Sequence, residues 1–268
     1  MKILNHKSLN KIDKIDSIYV INLEKRKDRL DRFEKKTVNL PPIKLFKAYD
    51  AKNFKIENKN IVHENETILK FPLTKKFVGQ KIGEVGCFLS HYSVWLKIAE
   101  SEKPSIIFED DAQPHSEFVN KVNLLLDIKQ PDDLEVLWLG LWTSGGQQKQ
   151  YKLLFKNDSD NWFNKHFYKL KKGKAMPYGA VYPYCYLIQP QFAKKLINAF
   201  HTYGSDGKPG RYGPVDGFIH RFIGAEYAAF FPNLSRGPCI CAAPQGDSDI
   251  QGHGDRGIPN RIKFRLDN

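Results

Sequence analysis

Three consecutive acids, Glu109-Asp110-Asp111, follow the apolar run Ser105-Ile106-Ile107-Phe108 with no turn residue between them. Carboxylates packed this closely repel one another, so a cationic partner is expected beside them. A hard divalent ion fits: Mg2+ or Mn2+ takes one or two carboxylates and fills its remaining positions with water or substrate phosphates. If the backbone stays extended through the triplet, alternation places Glu109 and Asp111 on one side and Asp110 on the other. The same triplet also reads as a solvated acidic turn, or as a cap for a helix starting near Ser116. Position alone does not separate these readings.

Other residues could contribute chemistry. His91 lies one turn after Cys87 on an apolar helix, either as a core histidine satisfied by a hydrogen bond or as a metal ligand. Asp216 stands between Pro214-Val215 and Gly217, as a helix cap or as a general base. Asp247, Asp249, His253 and Asp255 form a late cluster that reads as a polar tail or as ligands completing a metal site. Arg26 and Arg29 could clamp a diphosphate or simply face solvent.

A frame has to hold these groups. The chain has 268 residues, 41% hydrophobic and 27% charged, which is the composition of a folded protein with a full core. Ser17–Leu23 reads as a strand buried on both faces, followed by a basic helix over Glu24–Lys36 and a second strand over Ile43–Ala48. Asn53–Lys81 is polar and without a period, and is expected to be mostly loop. Gly83–Ala99 carries Val85, Phe88, Leu89, Tyr92, Leu96 and Ala99 on one face and predicts a largely buried helix. Strand Ser105–Phe108, helix Ser116–Ile128 and strand Leu134–Leu141 continue an alternation that argues for a parallel α/β sheet. The second half is loop-rich: Thr143–Pro177 has no clear pattern, Ala180–Ile188 is strand-like, Gln191–Phe200 is helical, and Pro214 opens a short helix. Acids at the carboxyl end of a strand in such a sheet sit where open α/β folds hold ligands.

Composition narrows the function further. With 42 Lys and Arg against 30 Asp and Glu, the net charge is +12, which favours anionic partners without naming one. No apolar stretch approaches the ~20 residues of a membrane helix. Cys87, Cys185, Cys239 and Cys241 are too few and too scattered for a disulfide scaffold, and no CxxC pair suggests structural zinc. No apolar targeting region follows Met1, so reduced cysteines and a cytoplasmic location are expected.

Taken in order, Val20-Ile21-Asn22-Leu23 with Arg26 and Arg29, then Gly83-Glu84-Val85-Gly86-Cys87-Phe88-Leu89-Ser90-His91-Tyr92 with Trp95, then Phe108-Glu109-Asp110-Asp111-Ala112, resemble glycosyltransferase family 25. That family includes bacterial lipooligosaccharide galactosyltransferases and collagen hydroxylysine galactosyltransferases. Pro72-Leu73-Thr74-Lys75 resembles the collagen branch, and Tyr184–Leu196, Pro214-Val215-Asp216 and Asp247-Ser248-Asp249 resemble later elements.

The resemblance implies a GT-A-like, Rossmann-related α/β fold with a mostly parallel sheet flanked by helices. Residues 1–16 would be a polar lead-in, 17–142 a nucleotide-sugar-binding half and 143–268 an acceptor-side half of one domain. It implies an inverting, metal-dependent enzyme moving a hexose, galactose first, from a UDP-sugar to a glycan, lipooligosaccharide or collagen-like hydroxylysine. Asp216 would be the catalytic base. Asn22, Leu23, Arg26, Arg29, Glu84, Ser90, His91, Glu109 and Asp110 would contact the donor, and Glu109, Asp111 and His253 would hold Mn2+ or Mg2+. No nucleic acid partner is expected, and peripheral membrane association stays open. The rival readings are a metal-dependent nuclease or phosphohydrolase, which would bind nucleic acid with steep salt dependence, and a non-catalytic carbohydrate-binding member of the same fold.

Overall fold

The fold is described by a computed structural model over residues 2–5, 7–70, 73–77, 81–127, 134–139, 151–153, 167–170, 184–203, 215–219, 228–232 and 240–242. The chain starts with a short strand, Ile3–Leu4 (β1), then Ile18–Asn22 (β2), helix Lys27–Lys36 (α1) and Ile43–Lys47 (β3). Three small strands follow, Lys55–Glu57 (β4), Asn60–His63 (β5) and Glu66–Leu69 (β6), ahead of the long helix Ile82–Ile98 (α2). Then come Ser105–Glu109 (β7), Gln113–Pro114 (β8), helix Phe118–Asp127 (α3) and Leu134–Trp138 (β9). Tyr151–Leu153 (β10), Phe167–Leu170 (β11), Cys185–Ile188 (β12), helix Pro190–Tyr203 (α4), a helical turn at 215–219, Ala228–Pro232 (β13) and Cys241–Ala242 (β14) follow, and two short 3-10 helices, Ala51–Asn53 and Leu73–Phe77, flank β4 to β6.

Nine strands make the main sheet in the order β1-β3-β2-β7-β12-β9-β13-β11-β10. Six of them, β3, β2, β7, β9, β13 and β10, point one way, while β1, β12 and β11 run against them. The mixed α/β fold with a mostly parallel sheet and flanking helices is thus present. β12, which the sequence marks only as strand-like, is antiparallel to both neighbours. Its direction is set by how the chain re-enters the sheet, which its apolar composition does not encode.

Alternation along the buried strands divides the core in two. Tyr19, Ile21, Ile107, Val136, Trp138, Tyr186 and Ile188 face α2 and α4. Ile18, Val20, Ile106, Phe108, Leu137, Cys185 and Leu187 face α1 and α3. On one side Phe88 and Trp95 of α2 pack against Phe218; on the other Phe33 of α1 and Phe118 of α3 pack on Phe108. Burying each such ring contributes about 1.5–3 kcal/mol.

α2 is held close to the segment after β3. A Cβ on Gly86 would lie 2.6 Å from the Tyr49 carbonyl oxygen and 3.0 Å from the Ala51 Cβ. Ser90, one turn on, accepts from the Tyr49 backbone N–H at 3.0 Å and donates to the Gly86 carbonyl at 2.7 Å. Gly86→Ala should therefore lower the urea midpoint, with unchanged slope, by the equivalent of about 1–3 kcal/mol. An unchanged midpoint would show that the helix and loop are not so close.

The segment expected to be loop, Asn53–Lys81, instead holds the antiparallel sheet β4-β5-β6. Its two tight turns place Asn58 and Lys59 at φ 49° and 65°, and Glu64 and Asn65 at φ 49° and 68°. Paired left-handed residues fit the twist of a two-residue hairpin, but the usual glycine signal is missing, so the sequence reads as featureless. The polar lead-in also joins the main sheet, since β1 pairs with β3. Among the described residues no helix is long and apolar enough to cross a membrane. Among them Cys87 is half-buried, and Cys185 and Cys241 are buried; Cys239 lies outside the described residues.

Candidate active site

The two-residue period of β7 sorts the acids. Ile107 points into the α2 side of the core and Phe108 into the α1 side, so Glu109 turns toward α2 and Asp110 toward α1. Asp110 accepts from Asn22 Nδ2 at 2.8 Å and from Arg29 at 3.1 Å, in an ion pair with both side chains about nine-tenths buried. Burial raises the Asp110 pKa against the opposing pull of Arg29 and Asn22. Burial alone would lower Arg29, but Asp110 drives it up. Asn22 Nδ2 also donates to the Arg26 carbonyl at 3.2 Å, which fixes the turn between β2 and α1. Arg26 itself engages the carboxylate of Asp28 at the start of α1.

Glu109 has its Oε1 3.2 Å from His91 Nε2, and burial together with the Asp110 charge raises its pKa. Asp111 is half-buried, yet its Oδ1 is cut off from solvent and has no hydrogen-bond partner among the described residues. Burial, Glu109 and Asp110 all raise its pKa. His91 is fully buried on α2, with its pKa lowered to about 3 by burial, so the ring is neutral. Cys87 is on the same side, its thiol pushed up by burial and by the charges of Glu109, Asp216 and Asp111.

Asp216 arrives from the helical turn at 215–219, whose Val215, Phe218 and Ile219 are buried against α2 and α4. Its Oδ1 accepts from the Gly217 backbone N–H at 2.8 Å. Burial raises its pKa to about 6, opposed by that hydrogen bond and reinforced by the charges of Glu109 and Glu84. Three sequence-distant acids, Glu84, Glu109 and Asp216, are therefore within electrostatic reach of one another.

Beyond the carboxyl ends of β2 and β3 opens a recess of about 350 Å3, counting its mouth, lined among others by Leu23, Lys25, Lys47, Asp50 and His63. Its charges are paired off: Lys25 with Asp50, and Lys47 with Glu24 and Glu64. His63, from β5, stacks edge-on against Tyr49 and Phe54, and its Nε2 is buried with no hydrogen-bond partner among the described residues. Sequence reading missed this residue because the hairpin carrying it was taken as loop.

The structure thus brings Asn22, Arg29, Asp110, Glu109, Asp111, His91, Glu84 and Asp216 to one edge of the sheet, with Leu23 at the adjoining recess. Ser90 is used inside the fold, between Gly86 and Tyr49, and does not line the recess. His253 and the acids Asp247, Asp249 and Asp255 lie outside the described residues. The late chain does return to this edge: β14 pairs with β8 directly after the acids, and the Cys241 backbone N–H donates to the Leu139 carbonyl at 3.0 Å.

The donor set fits a divalent cation with oxygen ligands. Burial raises the pKa of both Glu109 and Asp111, with Asp110 adding to the first and Glu109 and Asp110 to the second, and the Asp111 Oδ1 is buried without a partner among the described residues. A positive ion between them relieves both conditions.

Residues 15–219 match the family described as glycosyltransferase family 25 (LPS biosynthesis protein). Procollagen galactosyltransferase 2 of Homo sapiens is 32% identical over 135 residues, covering 47% of this chain and 20% of that protein. A putative glycosyltransferase of Acanthamoeba polyphaga mimivirus is 28% identical over 152 residues, covering 53% of this chain and 42% of its own. A human protein named as an inactive family 25 member 3 is 28% identical over 131 residues, covering 47% of this chain and 22% of its own. The chain therefore spans between a fifth and two fifths of the length of these relatives.

Proposed function

The chain belongs to glycosyltransferase family 25, and from that premise we propose that it transfers a hexose, galactose first, from a UDP-sugar to a hydroxyl of a glycan, lipooligosaccharide or collagen-like hydroxylysine acceptor. The observation that carries the reading is the pair Glu109 and Asp111, two acids with raised pKa values and a buried, unpartnered Asp111 oxygen at the carboxyl edge of the sheet. Glu109 and Asp111 would hold Mn2+ or Mg2+, with His253 as the further ligand supplied by the late chain. When bound, the cation stabilises the negative charge that builds on the departing diphosphate.

The remaining work belongs to the chain's own groups. Asn22 and Arg29 hold Asp110 and so fix the direction in which the strand end presents its neighbours. The recess at Leu23 and His63 suits the uncharged part of the donor, base and ribose, because its charged walls already neutralise one another. The buried His63 Nε2 offers a hydrogen-bonding position there. Asp216, half ionised near pH 6, takes the proton of the attacking acceptor hydroxyl, as direct displacement with inversion requires. In this GT-A-like reading, residues 17–142 serve the nucleotide-sugar and residues 143–268 the acceptor.

The direct test follows UDP release from UDP-galactose, UDP-glucose and UDP-N-acetylglucosamine, with Mn2+ and then with EDTA. Metal-dependent release from one donor is the expected result and identifies the sugar. Silence across the panel, with neither UDP nor Mn2+ shifting the melting temperature, overturns the enzymatic reading and leaves a binding protein of this family.

A further inference from the structure

Behind Glu109 runs a chain of three buried polar groups that the proposed reaction does not use. Trp95 of α2 places its indole N–H 3.0 Å from the Tyr186 hydroxyl oxygen. That hydroxyl lies 2.8 Å from His91 Nδ1, and His91 Nε2 lies 3.2 Å from Glu109 Oε1. Trp95, Tyr186 and His91 are all essentially inaccessible to solvent. Period-two alternation along β12 puts Tyr186 on the α2 face, between Trp138 and the His91 ring, which stacks on it at an interplanar angle of 20°.

The chemistry of the first member fixes the direction of the whole chain. An indole N–H can only donate, so the Tyr186 oxygen accepts from Trp95. The Tyr186 hydroxyl has one hydrogen, and its other partner among the described residues is His91 Nδ1. Were Nδ1 to carry the imidazole proton, the phenol oxygen would accept twice and its own hydrogen would be buried with no acceptor among those residues. Such an unmade bond costs roughly 1–3 kcal/mol. The phenol therefore donates to Nδ1, the ring proton sits on Nε2, and that N–H points at the Glu109 carboxylate.

We infer that Tyr186 and Trp95 are positioning residues for sugar transfer: they lock His91 in the Nε2–H tautomer, which orients Glu109 by donating to its Oε1. This gives His91 a role different from donor contact, since both of its nitrogens are already engaged inside the fold. It also bears on an alternative use of the same groups. Ligating atoms of Cys87, His91 and Glu109 lie within 4.8 Å of one another, a spacing that could hold a metal ion. A nitrogen that carries a proton has no lone pair to offer one.

The consequence for activity rests on the transferase reading, but the tautomer does not, and the test separates them. Long-range proton–nitrogen NMR spectra of the uniformly 15N-labelled full chain, with His91 assigned by comparison to His91→Gln, report which ring nitrogen is protonated. The expected spectrum shows Nε2 protonated and Nδ1 as acceptor. A protonated Nδ1 in the wild-type chain overturns the inference whether or not the protein transfers sugar. In turnover, Tyr186→Phe is expected to fall about 10- to 100-fold, as lost support of an oriented ligand does.

His91→Gln places an amide N–H near the Nε2 position without needing the phenol, so it should retain more activity than His91→Ala. In the His91→Gln background, adding Tyr186→Phe should cost less than about twofold. An equal cost in both backgrounds would reduce Tyr186 to packing.

Discussion

Asp111→Asn is expected to abolish transfer, by at least about 10³-fold, and at the same time to make the metal-free protein more stable. Both halves follow from one feature, a carboxylate whose Oδ1 is buried without a partner and whose charge is opposed by Glu109 and Asp110. Replacing the acid removes a repelling charge and gains about 1 kcal/mol, the usual exchange of stability for function at a strained site. It also removes one of the two carboxylates proposed to hold the cation, so the stabilisation that Mn2+ confers on the wild-type chain disappears. Thermal unfolding with and without Mn2+, alongside UDP release, measures both effects. Wild-type turnover in this variant, or an undiminished Mn2+ shift, would remove Asp111 from the metal site.

Asp216→Asn is expected to leave UDP-sugar binding intact while turnover falls about 10²- to 10⁴-fold. The base must be ionised to accept the hydroxyl proton, so wild-type kcat/KM rises with pH through about 6 and levels off above it. That acidic limb vanishes in the variant. Stability moves the opposite way: a carboxyl whose pKa is raised in the folded state loses folding free energy as pH climbs from about 4, the usual value, to about 6. Asp216→Asn is therefore more stable than wild type above pH 6 and indistinguishable from it below pH 4. Loss of donor affinity, or a pH limb that persists in Asp216→Asn, would assign the proton to another group.

The elements that carry the site were legible because burial writes itself into the sequence. Ser17–Leu23 and Ser105–Phe108 are apolar on both faces, and α2 carries a stripe from Val85 to Tyr92; all three form where expected, although Leu96, read on the same face, is exposed. Alternation past Phe108 also separated Glu109 from Asp110 correctly. Pairings that depend on distant chain were not legible. The Asn22–Asp110–Arg29 network shows no spacing signal, since its members meet only when β2 and β7 pair. The hairpin that brings His63 to the recess lacks glycine at its turns, and the reversal of β12 leaves no trace in Cys185-Tyr186-Leu187-Ile188. The resemblance implies that Ser90 contacts the donor, but its hydroxyl is used between the Tyr49 backbone N–H and the Gly86 carbonyl, which only the packing of α2 on that segment reveals.

The position of β12 has a consequence for how the protein is made. β7 gains β2 as a neighbour early, but its other edge is completed by β12, with Phe108 pairing with Cys185 far along the chain. As the chain leaves the ribosome, the acidic edge exists first as a four-strand fragment, β1-β3-β2-β7, with a row of open backbone groups and no Tyr186 behind His91. Loop closure over that separation makes the docking of β12 a slow, high-contact-order step, and the open edge is the exposed liability while it is awaited. Assembly of the site and completion of the sheet are then one event, so a nascent chain stalled before residue 185 holds the acids but not the support that aims them.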